Sequence, residues 1–160
     1  MLKSVKKRKA SFGGGNFAIV ASSYNARYVD AMLRSAQAEL KRVGVKQVEV
    51  IRVPGAYEIP IIAATLARTH RKLSGIICLG VILRGQTVHA DYIGRAVTEA
   101  LMEIQMKYEV PVIHEVLLLE NEEQAKVRCL GKKFNRGTEA AQTALEMARV
   151  MQGLDSSGSE

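Results

Sequence analysis

The run Ser74-Gly75-Ile76-Ile77-Cys78-Leu79-Gly80-Val81-Ile82-Leu83 is apolar and does not alternate. A strand wetted on one face alternates polar with apolar side chains, so this run predicts a strand covered on both faces. Behind it, Ile93, Ala96, Val97, Ala100, Leu101 and Ile104 recur at three- and four-residue steps, the spacing of a one-sided amphipathic helix. The same pairing occurs four times. Phe17-Ala18-Ile19-Val20-Ala21 precedes a helix with Val29, Met32, Leu33, Ala36, Leu40 and Val43 on one face and Gly44 as its stop. Residues 48–53 precede a helix over 58–71, with Pro60 in its first turn. Residues 76–83 lead to a helix over 90–108, and residues 111–118 lead to helical stretches over 122–130 and 138–151. Alternation of this kind predicts an α/β fold of three layers, α/β/α, around a four-stranded parallel sheet.

The 160 residues suit one domain, expected over 16–152. A flexible basic arm is expected over 1–15, and a disordered Ser/Gly/Asp-rich tail over 153–160. The net charge of +7 invites a nucleic-acid reading, but Lys3, Lys6, Lys7, Arg8 and Lys9 carry five of those charges, which leaves the body near +2. The arm is therefore read as a solubilising segment, and nucleic acid is not an expected partner. Nothing approaches the roughly 20 apolar residues of a membrane span. Cys78 and Cys129 form neither a disulfide framework nor a metal set, so a reducing cytoplasm is the expected compartment.

In a parallel sheet, ligands bind beyond the carboxyl ends of the strands. Three segments of this chain carry chemistry there. In Gly80-Val81-Ile82-Leu83-Arg84-Gly85-Gln86-Thr87-Val88-His89 the imidazole of His89 stands at a helix start, where a proton carrier can meet a substrate. The Arg84-Gly85-Gln86-Thr87 loop before it offers N–H groups and a hydroxyl to an anion. Val53-Pro54-Gly55-Ala56-Tyr57-Glu58-Ile59-Pro60 ends another strand; Glu58 there either accepts from ring N–H groups or caps its helix. Tyr24, beside Asn25 at the end of the first strand, either stacks on a flat heterocycle or packs. Arg128 is a second anion candidate against a plain solvated charge. His114 is either a pocket wall or a hydrogen-bonded core residue, and His70 reads as surface. No Walker pattern or dinucleotide fingerprint is present.

Together these blocks resemble the 6,7-dimethyl-8-ribityllumazine synthase family of riboflavin biosynthesis. Residues 53–60 and 80–89 match two of its motifs. Glu122-Glu123-Gln124-Ala125 with Arg128, then Asn135-Arg136-Gly137, match a third, in register over roughly residues 16–151. The resemblance implies a flavodoxin-like fold and a condensation of 5-amino-6-(D-ribitylamino)uracil with 3,4-dihydroxy-2-butanone 4-phosphate that releases phosphate and water. It implies His89 as the proton shuttle. It implies Tyr24, Asn25, Ala56, Tyr57, Glu58, Val81, Ile82, Leu83 and His114 around the pyrimidine and ribityl chain, with Gln86, Thr87, Arg128 and Arg136 on the phosphate. No metal or other cofactor is expected. The expected partners are further copies of the chain, as a pentamer or an assembly of pentamers with active sites between subunits, and riboflavin synthase is a candidate partner.

The chain departs from the family's pattern at several positions. His114-Glu115 stands where Phe-Gly is usual, and Leu118-Leu119 where a Thr is common. Arg136 replaces a Lys, Val88 a proline and Ala90 a bulkier residue. Two rival readings stand beside the synthase: an archaeal-type riboflavin synthase, which uses no phosphate ester, and a non-catalytic lumazine- or flavin-binding or shell-forming protein.

Overall fold

Every residue of the first strand, β1 (Phe17–Ser22), is buried, and this strand sits inside the sheet. The computed structural model describes residues 3–6 and 14–158. Lys7, Arg8 and Lys9 of the basic arm and the last two residues of the tail lie outside the described residues. The chain continues through α1 (Ala26–Arg42), β2 (Val48–Val53), a 3₁₀ turn (Ala56–Glu58), α2 (Ile59–Thr69), β3 (Gly75–Leu83) and α3 (His89–Tyr108). It ends with β4 (Val112–Leu119), a short α4 (Glu122–Ala125), a π turn (Lys126–Leu130) and α5 (Arg136–Ser157). The four strands pair in parallel in the order β2-β1-β3-β4, with Ile19 between Val50 and Ile77 and Cys78 beside His114. The α/β architecture expected from the alternation is the one observed.

The two faces of the sheet bury different sets. On one, Phe17, Ile19 and Leu79 meet α1 through Val29, Met32, Ala36 and Leu40, and α5 through Ala140, Ala141, Ala144 and Leu145. On the other, Val20, Ile76 and Cys78 meet α2 through Ile59 and Ala63, and α3 through Val97 and Leu101. Each fully buried Leu, Ile or Met contributes about 1.5–3 kcal/mol, so both helical layers are held mainly by their apolar stripes.

Local signals behave as their chemistry requires. Gly44 takes the left-handed conformation (φ 92°) just past α1, and Pro60 lies in the first turn of α2. Two expectations need correction. The helix expected over 122–130 is α4 followed by a π turn, whose Cys129 carbonyl accepts from Asn135 Nδ2 at 2.7 Å. The tail expected to be disordered from 153 is helical to Ser157. There the Ser156 and Ser157 hydroxyls donate to the carbonyls of Gln152 and Gly153, one turn back, at 2.9 and 2.8 Å. Part of the basic arm also touches the body: Val5 N donates to the Lys133 carbonyl at 2.8 Å, and Gln142 Nε2 to the Lys6 carbonyl at 2.9 Å.

α5 packs tightly on α1 at Gly137, where a Cβ would land on the Met32 carbonyl. Because the obstacle is backbone, no rotamer change relieves it. Gly137→Ala is expected to lose about 3 kcal/mol or more, read as a fall in the urea midpoint at unchanged m-value; a midpoint within error of wild type would contradict this packing.

Candidate active site

Two depressions open at the carboxyl side of the sheet. The first, of about 840 Å³, draws on the ends of three strands and the start of α3. Tyr24 and Asn25 come from the turn after β1, Gly55 to Glu58 from the turn after β2, Val81, Ile82 and Leu83 from β3, and His89 from α3. Its size is within the roughly 300–1,000 Å³ of small-molecule sites.

The local structure explains this convergence. Tyr24 N donates to the Pro54 carbonyl at 2.9 Å, tying the turn after β1 to the end of β2. A Cβ at position 55 would lie 2.8 Å from the Tyr24 ring, so the glycine lets the ring approach the loop. Asn25 is left-handed (φ 56°), a conformation Asn tolerates better than most residues, and its Nδ2 donates to the Val81 carbonyl at 2.7 Å. Glu58 Oε2 accepts from Gly55 N at 2.9 Å and so caps its own turn. Tyr24 and Tyr57 remain 67% and 65% exposed, with aromatic faces free to stack on a flat ring.

Sequence reasoning missed Tyr92, Ile93 and Ala96, which line the same depression three, four and seven residues after His89. That spacing is one face of a helix, so the signal was present once His89 was taken as its first turn.

The second depression, of about 620 Å³, lies along β4. It holds Arg128 from the π turn, Arg136 and Glu139 from α5, Lys3 from the N-terminal segment, and His114, Glu115 and Gln124. Within the chain the structure thus separates Tyr24 and His89 from Arg128, Arg136 and His114. Gln86 and Thr87 stand on an exposed loop outside both depressions. Arg84 is not free for an anion: its guanidinium pairs with Asp91 at the start of α3 and with Glu120, at 3.0 Å, after β4. Arg84 therefore clamps the 85–89 loop.

Adjacent residues on β4 meet burial in different ways. His114 Nδ1 accepts from Val116 N at 3.1 Å, so the ring proton sits on Nε2 and is given to Thr98 Oγ1 at 2.7 Å. The Thr98 hydroxyl donates in turn to the Gly94 carbonyl at 2.8 Å. The ring is held neutral, and burial lowers its pKa. Glu115 instead accepts from Arg136 Nε at 3.0 Å, and Arg136 Nη1 also reaches Glu139 at 2.9 Å. Burial outweighs Arg136 here and pushes the Glu115 carboxyl up to about 7. Burial likewise pushes the Cys78 and Cys129 thiols to about 12, so neither is a nucleophile at neutral pH. Among the described residues, no three His, Cys, Asp or Glu side chains are grouped to hold a metal ion, and no helix is long and apolar enough to cross a membrane.

A parallel α/β sheet with an aromatic-walled depression at its strand ends has the arrangement in which α/β enzymes bind small molecules. The sequence model of 6,7-dimethyl-8-ribityllumazine synthase matches residues 14–152. Proteins of that name from Stenotrophomonas maltophilia (strain R551-3) and Xanthomonas euvesicatoria pv. vesicatoria are each 40% identical over 140 residues, 86% of this chain and 90% of theirs. One from Thermosynechococcus vestitus is 42% identical over 150 residues, 90% of this chain and 83% of its own. The chain belongs to the 6,7-dimethyl-8-ribityllumazine synthase family.

The two shifts on β4 act oppositely on stability. A neutral His114 favours the folded state at high pH; this contribution declines as the pH falls below about 6.5, where the unfolded chain takes up a proton. The Glu115 contribution is full below about 4.5 and is lost as the pH rises through about 7. Relative to wild type, His114→Phe is expected to gain in Tm as the pH falls from 7.5 to 5.5. Equal pH slopes in the two proteins would contradict the neutral ring.

Proposed function

We propose that this chain makes 6,7-dimethyl-8-ribityllumazine, condensing 5-amino-6-(D-ribitylamino)uracil with 3,4-dihydroxy-2-butanone 4-phosphate and releasing phosphate and water, in riboflavin biosynthesis. The observation that carries the reading is the pair of depressions, one fit for a flat heterocycle and one for an anion, on a chain of this family. The pyrimidine stacks on Tyr24 against Val81, Ile82 and Leu83, and its ribityl chain runs along Asn25 and the Ala56-Tyr57-Glu58 turn. Glu58 retains one carboxylate oxygen beyond the cap for a substrate hydroxyl or ring N–H.

An aryl amine attacking a ketone must shed protons while a hydroxyl departs as water. An imidazole serves both transfers, taking the proton at one stage and giving it at the other. His89, exposed at the start of α3 and facing the Tyr24 depression, is the group in this role. Arg128 supplies fixed positive charge for the departing phosphate. The Gln86-Thr87 loop, which leads into His89, supplies hydrogen-bond donors. Holding two reactants side by side contributes several kcal/mol of the acceleration, roughly 7 or more in well-aligned cases.

The active site is completed by a second copy of the chain, in a pentamer or an assembly of pentamers, which brings one subunit's Arg128 depression against the next subunit's Tyr24 depression. The surface supports this: Tyr24, Tyr57, Val88 and Tyr92 are each more than 60% exposed around the His89 depression, an apolar rim of the kind that marks an interaction site. The buried free thiols of Cys78 and Cys129 support a reducing, cytoplasmic setting.

Mixing both substrates with the protein should produce the absorbance and green fluorescence of the lumazine; failure to form it would overturn the proposal. His89→Ala is expected to lower kcat by roughly 10- to 1000-fold without abolishing turnover. Arg128→Ala should raise the KM for the phosphate substrate about tenfold or more, with a smaller effect on kcat; an unchanged KM would remove Arg128 from the site. Light scattering should give a mass at a multiple of five chains.

A further inference from the structure

The cationic depression contains its own anion. Lys3, Arg128 and Arg136 bring three positive charges to it, and Glu115 and Glu139 bring two negative ones. With Glu115 ionised, one net positive charge faces an incoming ligand; with Glu115 protonated, two do. Arg136, one of the two guanidinium groups available to an anion, is engaged by Glu115 at 3.0 Å and by Glu139 at 2.9 Å. The two carboxylates differ in freedom. The Glu139 side chain is 41% exposed and can swing into water, whereas that of Glu115 is 7% exposed, on a strand inside the β4–α5 contact. A buried carboxylate that loses its partner to a ligand cannot solvate its charge, and a dianion beside it raises the cost further.

We infer that Glu115 is an internal rival for the dianion that enters this depression: its carboxylate holds Arg136 while the depression is empty, and it takes up one proton when a phosphate ester claims that guanidinium. The inference rests on reading the depression as the phosphate site of the proposed reaction, and it assigns to that site a specificity residue, Glu115, that favours ligand binding at lower pH. The groups around Glu115 are Arg136 and Glu139 on α5, Arg128 and Cys129 on the π turn, Lys3 on the N-terminal segment and His114 beside it on β4. Cys129 stays a thiol, and the Val116 N–H donated to Nδ1 keeps His114 neutral. The proton therefore goes to Glu115, which burial already brings to about 7.

The test uses sulfate, which stays dianionic between pH 6 and 8, where orthophosphate changes charge. Isothermal titration of the intact protein should give binding about tenfold tighter at pH 6 than at pH 8, the ratio expected for a group titrating near 7 that must be protonated in the complex. Repeating the pH 8 titration in buffers of different ionisation enthalpy should show uptake close to one proton per sulfate. Glu115→Gln should bind tightly at both pH values with no uptake, while Glu139→Gln and His114→Phe should retain it. PH-independent affinity in the wild type, zero uptake, no sulfate binding, or loss of uptake in His114→Phe would each overturn the inference. If Glu115→Gln does not fold, uptake by the wild type and its retention in His114→Phe decide the matter. None of these readings involves turnover, so a protein that makes no lumazine yet binds sulfate in this way would sink the proposed reaction and leave the Glu115 assignment standing.

Discussion

Burial of both faces of the parallel sheet is the constraint from which the other features follow. β1 and most of β3 have no exposed side, so helices must cover the sheet above and below. Parallel strands in turn force every connection to begin at the same edge. For this reason Tyr24, Gly55 to Glu58, Val81 to Leu83 and His89, far apart in the chain, surround one depression. The pairing of Ile19 with both Val50 and Ile77 sets the heights of these strand ends relative to one another.

The second depression depends on how α5 is seated. Asn135, 3% exposed, is the joint: its Nδ2 reaches back to the Cys129 carbonyl, and its Oδ1 accepts from Gly137 N at 2.9 Å and Thr138 N at 3.3 Å. One amide thereby closes the π turn that carries Arg128 and opens the helix that carries Arg136. Gly137 and the alanines behind it let α5 settle against α1, with the Met32 carbonyl filling the space a Cβ would take. The cationic surface is thus a by-product of helix packing.

β4 is an edge strand, and its polar residues reflect that position. Neighbours on a strand point to opposite faces, so His114 turns to Thr98 of α3 and Glu115 to Arg136 of α5. The first is satisfied as a neutral hydrogen-bonding group and the second as a buried ion pair. The resemblance implies Phe and Gly at these positions, neither of which titrates. The change adds proton-sensitive chemistry to a site otherwise built from fixed charges.

The number of strands, their parallel arrangement and the covering helices were legible in the sequence, because apolar period and turn residues are local properties. Gly44 and Pro60 show this directly. The three motif blocks also pointed to strand ends as the place of chemistry. What periodicity could not reveal was pairing over long range. Arg84, Arg128 and Arg136 look alike as letters, yet one is clamped by Asp91 and Glu120, one lines a depression, and one is shared by Glu115 and Glu139. The division of the candidate residues between two depressions, the π turn and the helical tail were likewise decided by the fold. Secondary structure follows from interactions within a few residues, whereas the charge state and availability of a side chain depend on what the packed chain brings beside it.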